Sequence, residues 1–244
     1  MESLPFYEEV YHDMQAPVSS ILQYLQFMEH VEGLPVCALD YMVGIKKNTY
    51  RIYKMLRDIN DSTRMQNGVM AVHFLNAEIT ATVRGICEEA GVLTLPMRVR
   101  VEFQNHMRQK CMAIDRHILS RILFNLITNA GKYSPKGGRI VVALEERRGF
   151  VHISVRDFGT GIRSESDVFE RYRADKEGAG IGLGLYIVRE LTNLLKGEVN
   201  INERVKRGTE VCLTLPILLT DEGAEQLPID DFFYNNIIQM ELAL

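Results

Sequence analysis

The stretch that decides the fold is Asn-Leu-Ile-Thr-Asn-Ala-Gly-Lys-Tyr, residues 125–133. Its apolar spacing extends back to Asp115, a plausible N-cap, and predicts a helix. Asn125 and Asn129 are four residues apart and therefore lie on one helical face. Two amide oxygens there could coordinate magnesium or contact phosphates, and Lys132 could neutralise phosphate charge. The alternative is an ordinary helix with surface amides, in which Lys132 simply suits the negative end of the helix dipole.

A second stretch, Asp157-Phe-Gly159-Thr-Gly161, follows an apolar strand. Glycines at these positions would let a flat ring approach the backbone closely. The Asp157 carboxylate could accept a hydrogen bond from the exocyclic amine of adenine. The alternative interpretation is a plain turn.

A third stretch, Gly-Ala-Gly-Ile-Gly-Leu-Gly-Leu at residues 178–185, opens a helix. Backbone N–H groups at a glycine-rich helix start form an anion site. The spacing fits neither a P-loop, which needs GxxxxGK followed by Ser or Thr, nor a dinucleotide fingerprint. A flexible loop before a helix is the alternative.

The elements around these stretches predict an α+β fold. Helices grouped between runs of strands are typical of a two-layer α/β sandwich. The predicted strands are 69–75, 98–104, 111–114, 140–144, 151–157, 198–202 and 210–215. The predicted helices of this region are 77–90, 115–129 and 183–195.

The N-terminal part carries two heptad patterns, Tyr7, Tyr11, Met14, Val18, Ile21, Leu25, Met28 and Met42, Ile45, Thr49, Ile52, Leu56, Ile59, Thr63. Between them Gly33 and Pro35 break the pattern, which predicts an antiparallel helical hairpin. A lone hairpin cannot cover two apolar seams, so we expect two copies to pair as a homodimeric four-helix bundle.

His12 follows the seam residue Tyr11 and is therefore expected to point outward. Pro17 should loosen or bend the helix beside it, because its ring collides with the carbonyl of Asp13. Asp13 could accept a proton from Nδ1 and leave Nε2 free as a nucleophile. The alternative is a surface histidine beside a helix kink.

Composition sets broad limits. The formal charge is −4 and no long basic run occurs, which argues weakly against nucleic acid as the main partner. Four scattered cysteines favour reduced thiols in the cytoplasm over a disulfide framework. No apolar run reaches bilayer length, so we expect membrane attachment only through a missing upstream segment, if at all.

These stretches, taken in order, resemble the motifs of two-component sensor histidine kinases. His-Asp-Met-Gln-Ala-Pro, residues 12–17, resembles the phosphoacceptor box and 125–134 the N box. Residues 157–161 and 178–185 resemble the two glycine boxes, and 168–173 resembles the phenylalanine-containing segment between them. The helical hairpin distinguishes histidine kinases from gyrase, Hsp90 and MutL in the wider superfamily.

The resemblance implies a role for each matching position. His12 matches the phosphorylated histidine, with Asp13 as the acidic neighbour that orients it or takes its proton. Asn125 matches the magnesium ligand. The other implied positions are Asn129 near the phosphates, Lys132 and Tyr133 over the phosphates and the base, Asp157 reading adenine, Gly159 and Gly161 beneath the ring, Gly180, Gly182 and Gly184 in the ATP lid, and Arg173 reaching the γ-phosphate.

Four departures from the family pattern carry expectations. Ala16 replaces the Thr or Asn thought to position the water for dephosphorylation, so we expect weak phosphatase activity. Gln15 replaces a common arginine, and this change should affect contact with the partner protein more than the chemistry of phosphoryl transfer. The lid from Arg173 to Gly180 is short. Arg121 stands where ATP-hydrolysing relatives carry a glutamate base, so hydrolysis should be slow.

The predicted organisation is a dimerisation and phosphotransfer hairpin at 1–67, an ATP-binding catalytic domain at 68–218, and a tail of unknown role at 219–244. The function that the resemblance implies is autophosphorylation of His12 with ATP and Mg²⁺, followed by transfer to an aspartate of a response regulator receiver domain. Alternatives are a non-catalytic nucleotide-binding scaffold, or an ATP-gated clamp or serine kinase of the same superfamily.

Overall fold

The computed structural model describes residues 3–31, 33–95, 97–161, 168–169 and 183–220. Within these ranges, the side chains of residues 3–10, 12, 29, 47, 50 and 93 lie outside the description. The described chain forms two compact units that divide between Ala71 and Val72. The predicted tail at 219–244 falls almost wholly outside the described residues.

The first unit is a helical hairpin. Helix α1 spans Ser3–Glu29 and runs through Pro17 as one element, and α2 spans Val36–Gln66. The two helices pack on each other. Gly33 in the connection has φ +79°, a conformation that glycine adopts without steric cost. The predicted hairpin is therefore present.

The predicted heptad residues differ in burial. Val18, Leu25, Met42 and Thr49 are buried, together with Leu22, which lies outside the predicted pattern. Six other positions are between 37% and 49% exposed: Met14, Ile21, Met28, Ile45, Ile52 and Ile59. We call these six residues the open seam. Part of the heptad pattern thus closes the hairpin, while the open seam faces away from the hairpin core.

The second unit contains a two-stranded and a five-stranded sheet, built from β1 Leu75–Glu78, β2 Arg100–Asn105, β3 Cys111–Ile114, β4 Arg139–Arg147, β5 Phe150–Arg156, β6 Glu198–Ile201 and β7 Glu210–Pro216. The order in the larger sheet is β2-β4-β5-β7-β6, and only the β2–β4 pair is parallel. Strands β1 and β3 pair antiparallel.

Three helices of this unit pack against the larger sheet and one another: α3 Ile79–Thr94, α4 Arg116–Tyr133 and α5 Gly184–Leu194. Strands β4, β5 and β7 alternate between buried and half-buried residues along most of their length. Such alternation is typical of a sheet with one face on the core. The predicted α+β class and two-layer α/β sandwich are confirmed, and the helices and the sheet share one apolar core.

Two element predictions in this unit are wrong. Residues 69–74 form no strand, because pairing begins only at Leu75, opposite Ile114, the last residue of the four-residue strand β3. Helix α3 begins at Ile79 and not at Ala77, because Ala77 and Glu78 are taken up in that pairing. The Glu78 carboxylate then caps α3 by accepting from the N–H groups of Thr80 and Ala81.

The first strand of the second unit is hydrogen-bonded to the segment that follows the last strand. The Asn76 side chain in β1 donates to the Thr220 carbonyl at 2.7 Å and accepts from the Thr220 N–H at 3.0 Å. Beside it, the Ala113 N–H donates to the Leu218 carbonyl at 2.7 Å. The segment after β7 is thus fixed to both strands of the smaller sheet.

Candidate nucleotide site

Helix α4 supplies the first side of the site. Asp115 caps it, as predicted, by accepting from the Ile118 N–H at 3.1 Å. Asn125 is only 5% exposed, yet its carboxamide makes no hydrogen bond within the described part of the chain. Its amide oxygen is therefore available to coordinate a cation. One turn on, Asn129 is half-buried, and Lys132 and Tyr133 are exposed at the helix end.

The loop after β5 supplies the second side. Asp157 is 5% exposed, and its Oδ1 accepts from the N–H groups of Gly159 at 2.9 Å and Thr209 at 3.2 Å. The Asp157 N–H donates to the Thr209 carbonyl at 2.8 Å. These bonds fix the carboxylate and use one of its oxygens, so Oδ2 remains available to accept from a ligand amine.

Close backbone approaches join this loop to its neighbours. A Cβ built at Gly159 would lie 2.0 Å from the Tyr133 carbonyl oxygen, at the end of α4. A Cβ at Gly208 would lie 2.1 Å from the Asp157 carbonyl oxygen. Gly161 has φ +72° and packs against Gly208. Since only glycine fits such approaches, the glycines at 159 and 161 set the position of the loop.

The start of α5 forms the third side. Gly184 is its first residue, and a Cβ there would lie 3.6 Å from Asn129 Nδ2. Leu183 at the N-cap contributes no side-chain hydrogen bond, so the first N–H groups of α5 are not capped by a side chain. Uncapped N–H groups at a helix start favour an anion such as a phosphate.

The predicted residues thus fall into three groups. The first group lies on α4 and on the elements that contact it: Asn125, Asn129, Lys132 and Tyr133 on the helix, Asp157, Gly159 and Gly161 in the loop that meets Tyr133, and Gly184 beside Asn129. His12 and exposed Asp13 lie in α1, in the other unit, and of His12 only the helical backbone is described. Arg173, Gly180 and Gly182 lie outside the described residues.

Sequence reasoning missed three residues that shape this site. Gly208 and Thr209 hold Asp157, and their signal was a glycine two residues before β7, in Arg-Gly-Thr-Glu at 207–210. Gly131 lies inside α4, where a Cβ would be 2.7 Å from Met97 Sδ. It permits the close packing of the residues after α3 on α4, and a glycine in a helix interior could have indicated such a contact.

Three comparisons with known proteins agree with this geometry. A family model described as histidine kinase-, DNA gyrase B- and HSP90-like ATPase matches residues 114–219. The sensor histidine kinase YvrG of Bacillus subtilis is 26% identical over 83% of this chain and 36% of its own length. The sensor histidine kinase WalK of the same organism is 28% identical over 88% of this chain and 37% of its own length.

The chain contains a sensor histidine kinase catalytic core. Its fold is also that of the full-length ShkA crystal structure in complex with AMPPNP, at a TM-score of 0.73 and 19% identity, over 88% of this chain and 46% of ShkA. The predicted family is confirmed, and both Bacillus relatives are named as sensor histidine kinases. The kinase core spans little more than a third of the two Bacillus relatives.

Two further findings bear on the composition arguments. No helix in the described part of this kinase core is long and apolar enough to cross a membrane. All four cysteines, Cys37, Cys87, Cys111 and Cys212, are free. Burial raises the pKa of the Cys87 thiol to about 12, which keeps that thiol protonated.

Proposed function

We propose that this chain phosphorylates its own His12 with Mg-ATP and passes the phosphoryl group to an aspartate of a response regulator receiver domain. The observation that carries the proposal is the fixed Asp157 carboxylate, with one oxygen held by backbone amides and the other free. Such a group reads the exocyclic amine of adenine. In this proposal the phosphates would be held by the α4 face with Asn125 and by the start of α5, which lies beside Asn129.

Magnesium fits the donor set at this site. Asn125 offers a neutral oxygen without a partner among the described residues, and magnesium takes few protein ligands because it keeps its waters. The described residues contain no cluster of three or more His, Cys, Asp or Glu that would hold a metal without the nucleotide. When bound, magnesium would neutralise phosphate charge, and Asn125 would orient it.

The transfer step uses residues of the hairpin. His12 Nε2 attacks the γ-phosphorus, ADP leaves, and Asp13 accepts the hydrogen bond from Nδ1–H and stabilises the imidazolium. Arg173 would stabilise the charge of transfer. The receiver would dock on α1 around Gln15, Ser19 and Gln23, of which Gln23 is exposed.

The homodimer and the compartment belong to the same proposal. Dimerisation is supported by the open seam, which repeats at heptad spacing on both helices. A cytoplasmic location is supported by the four free cysteines.

The test is incubation with γ-labelled ATP followed by mapping of the labelled residue, with His12→Gln as the matched variant. We expect label that is stable in alkali and labile in acid, and none in His12→Gln, which should still bind ATP. Acid-stable label would instead support a serine kinase. If the unmodified chain binds nucleotide but acquires no label, the result would support the alternative function, a non-catalytic nucleotide-binding scaffold.

A further inference from the structure

The end of the larger sheet that carries the nucleotide site is strongly basic. Strands β2, β4 and β7 begin there and β5 ends there. Among the described residues this end has four carboxylates, Glu102, Asp157, Glu203 and Glu210, against nine cations, Arg98, Arg100, Lys132, Lys136, Arg139, Arg156, Arg204, Lys206 and Arg207. We call these nine cations the basic rim. The whole chain has the opposite balance, with 28 Lys and Arg against 32 Asp and Glu.

Backbone contacts hold the segments of the basic rim around the site. The Gly137 N–H donates to the Arg98 carbonyl at 2.7 Å, and the Arg100 N–H donates to the Gly138 carbonyl at 3.1 Å. This joins the start of β2 to the turn after α4. On the other side, the turn at 202–208 packs through Gly208 against Asp157. The basic segments therefore directly border the loop at residues 157–161, which carries Asp157.

Two cations of the rim are fixed on the residue after Asp157. The guanidinium carbons of Arg139 and Arg156 lie 5.2 Å and 5.1 Å from the centre of the Phe158 ring. An arginine over an aromatic face is held there by the ring quadrupole. The neighbour of the adenine-reading carboxylate thus anchors positive charge beside the site.

Little of this charge is neutralised locally. Arg139 forms an ion pair with Glu102 at 3.3 Å. Lys136, Arg204, Lys206 and Arg207 are exposed, and none forms an ion pair within the described residues. Charges of one sign that are concentrated at the mouth of a site project a field into solvent, and that field raises the local concentration of ligands of the opposite sign.

We infer that the basic rim steers the polyanionic nucleotide into the site and so sets the association rate of ATP. This inference rests on the proposed function, because it takes ATP as the ligand of the Asp157 site. The exposed rim cations act on the nucleotide before it binds. Their removal should therefore slow association and leave dissociation nearly unchanged.

The first test measures association by stopped flow with the whole chain, using methylanthraniloyl-ATP and, as an uncharged control, methylanthraniloyl-adenosine. Raising KCl from 25 to 400 mM screens exposed charges and should slow association of the ATP analogue about tenfold. Association of the adenosine analogue should not change. Equal responses of the two ligands, or no response of the ATP analogue, would overturn the inference.

The second test compares two triple charge reversals of equal size. Lys136→Glu, Lys206→Glu and Arg207→Glu alter the basic rim but none of the residues assigned to the site. Arg108→Glu, Arg116→Glu and Arg147→Glu change the net charge equally at the other end of the unit. Arg116 begins α4, an 18-residue helix of about 27 Å, which exceeds the Debye length of about 20 Å at 25 mM KCl.

At 25 mM KCl the rim variant should associate with the ATP analogue about tenfold more slowly, with dissociation changed less than twofold. The far-end variant should be slowed much less, because its charges lie farther from the site than one Debye length. Equal slowing in both variants, or a change confined to dissociation, would refute steering. If the rim variant does not fold, the salt dependence of the unmodified chain still decides the question.

Failure of the proposed function has a different signature. If the unmodified chain binds no nucleotide, the assignment of the site is wrong, and steering is wrong with it. If the chain binds ATP and labels His12 but its association rate does not depend on salt, only the steering inference fails.

Discussion

Gly159 lies so close to Tyr133 that a β-carbon at residue 159 would be 2.0 Å from the Tyr133 carbonyl oxygen. The loop at residues 157–161 and the end of α4 are therefore in direct backbone contact. The Gly159→Ala variant must move one of them, and we expect an unfolding free energy lower by about 1–3 kcal/mol and loss of ATP binding. Denaturant unfolding and nucleotide titration measure the two effects.

Gly85→Ala is the matched control for that variant. Gly85 is inside α3, with nothing within 4 Å of a built Cβ. Alanine there should raise the unfolding free energy by about 0.5–1 kcal/mol and leave ATP binding unchanged. Equal behaviour of the two alanine variants would contradict the close approach.

The Asp157→Asn variant separates ligand recognition from folding. An asparagine oxygen can still accept from the Gly159 and Thr209 N–H groups, so the melting temperature should fall little. The second oxygen becomes an NH₂ donor that cannot accept from adenine, and the affinity for ATP should fall roughly tenfold to a hundredfold. Calorimetric titration with ATP measures this, and unchanged affinity would remove Asp157 from the site.

The open seam predicts how the hairpin pairs. Ile52→Glu places a charge on the seam and should convert a dimer into a monomer at micromolar concentration, as sedimentation would show. Val36→Glu is the control, because Val36 is exposed outside the seam pattern. The prediction fails if the unmodified chain is already monomeric, or if both variants dissociate alike.

The alanine at position 16 leads us to expect weak phosphatase activity. The residue is exposed on α1 and has no polar side chain to position a water. With ADP present, dephosphorylation of the cognate receiver should be slow, and Ala16→Thr should accelerate it several-fold without loss of autophosphorylation. Rapid dephosphorylation by the unmodified chain would contradict the role given to this position.

Glu78 predicts a pH dependence of stability. Desolvation would raise the pKa of this carboxyl, but hydrogen bonds from the Ala81, Thr80 and Lys110 N–H groups outweigh it and lower the pKa below the usual value of 4.5. A lowered folded-state pKa means that the stabilisation is fully present above about pH 4.5. It is lost as the pH falls through the folded-state value.

Substituting Glu78 tests that dependence. The Glu78→Gln variant should lose about 1 kcal/mol of unfolding free energy at pH 7, and the difference from the unmodified chain should shrink below pH 4. Glu198→Gln, at an exposed carboxyl, should change stability little at either pH. Denaturant unfolding at pH 7 and pH 3.5 gives both values, and a difference that does not depend on pH would refute the capping account.

The sequence predicts most of the architecture because its signals are local. Asp115 marked the start of α4, and short apolar runs at 140–144, 151–157 and 210–215 marked β4, β5 and β7. The start of α3 was missed because pairing of β1 with β3, a contact between residues 33 to 39 positions apart, takes up Ala77 and Glu78. A local pattern cannot report which strand will pair with a segment.

The candidate site was likewise predictable where its signals are local and hidden where they depend on long-range contacts. Asn125, Asn129 and Asp157 stand in motifs whose spacing is visible in the sequence. Gly208 and Thr209 lie about fifty residues after Asp157, and only folding brings them to its carboxylate. The basic rim was equally hidden, because its cations are scattered over the chain and converge only through the register of the sheet.

The two-way hydrogen bond between Asn76 and Thr220 has a practical consequence. Because it holds the first strand beside the segment after the last strand, new chain connections introduced at these two positions would start from neighbouring points on the unit and need not cross its core.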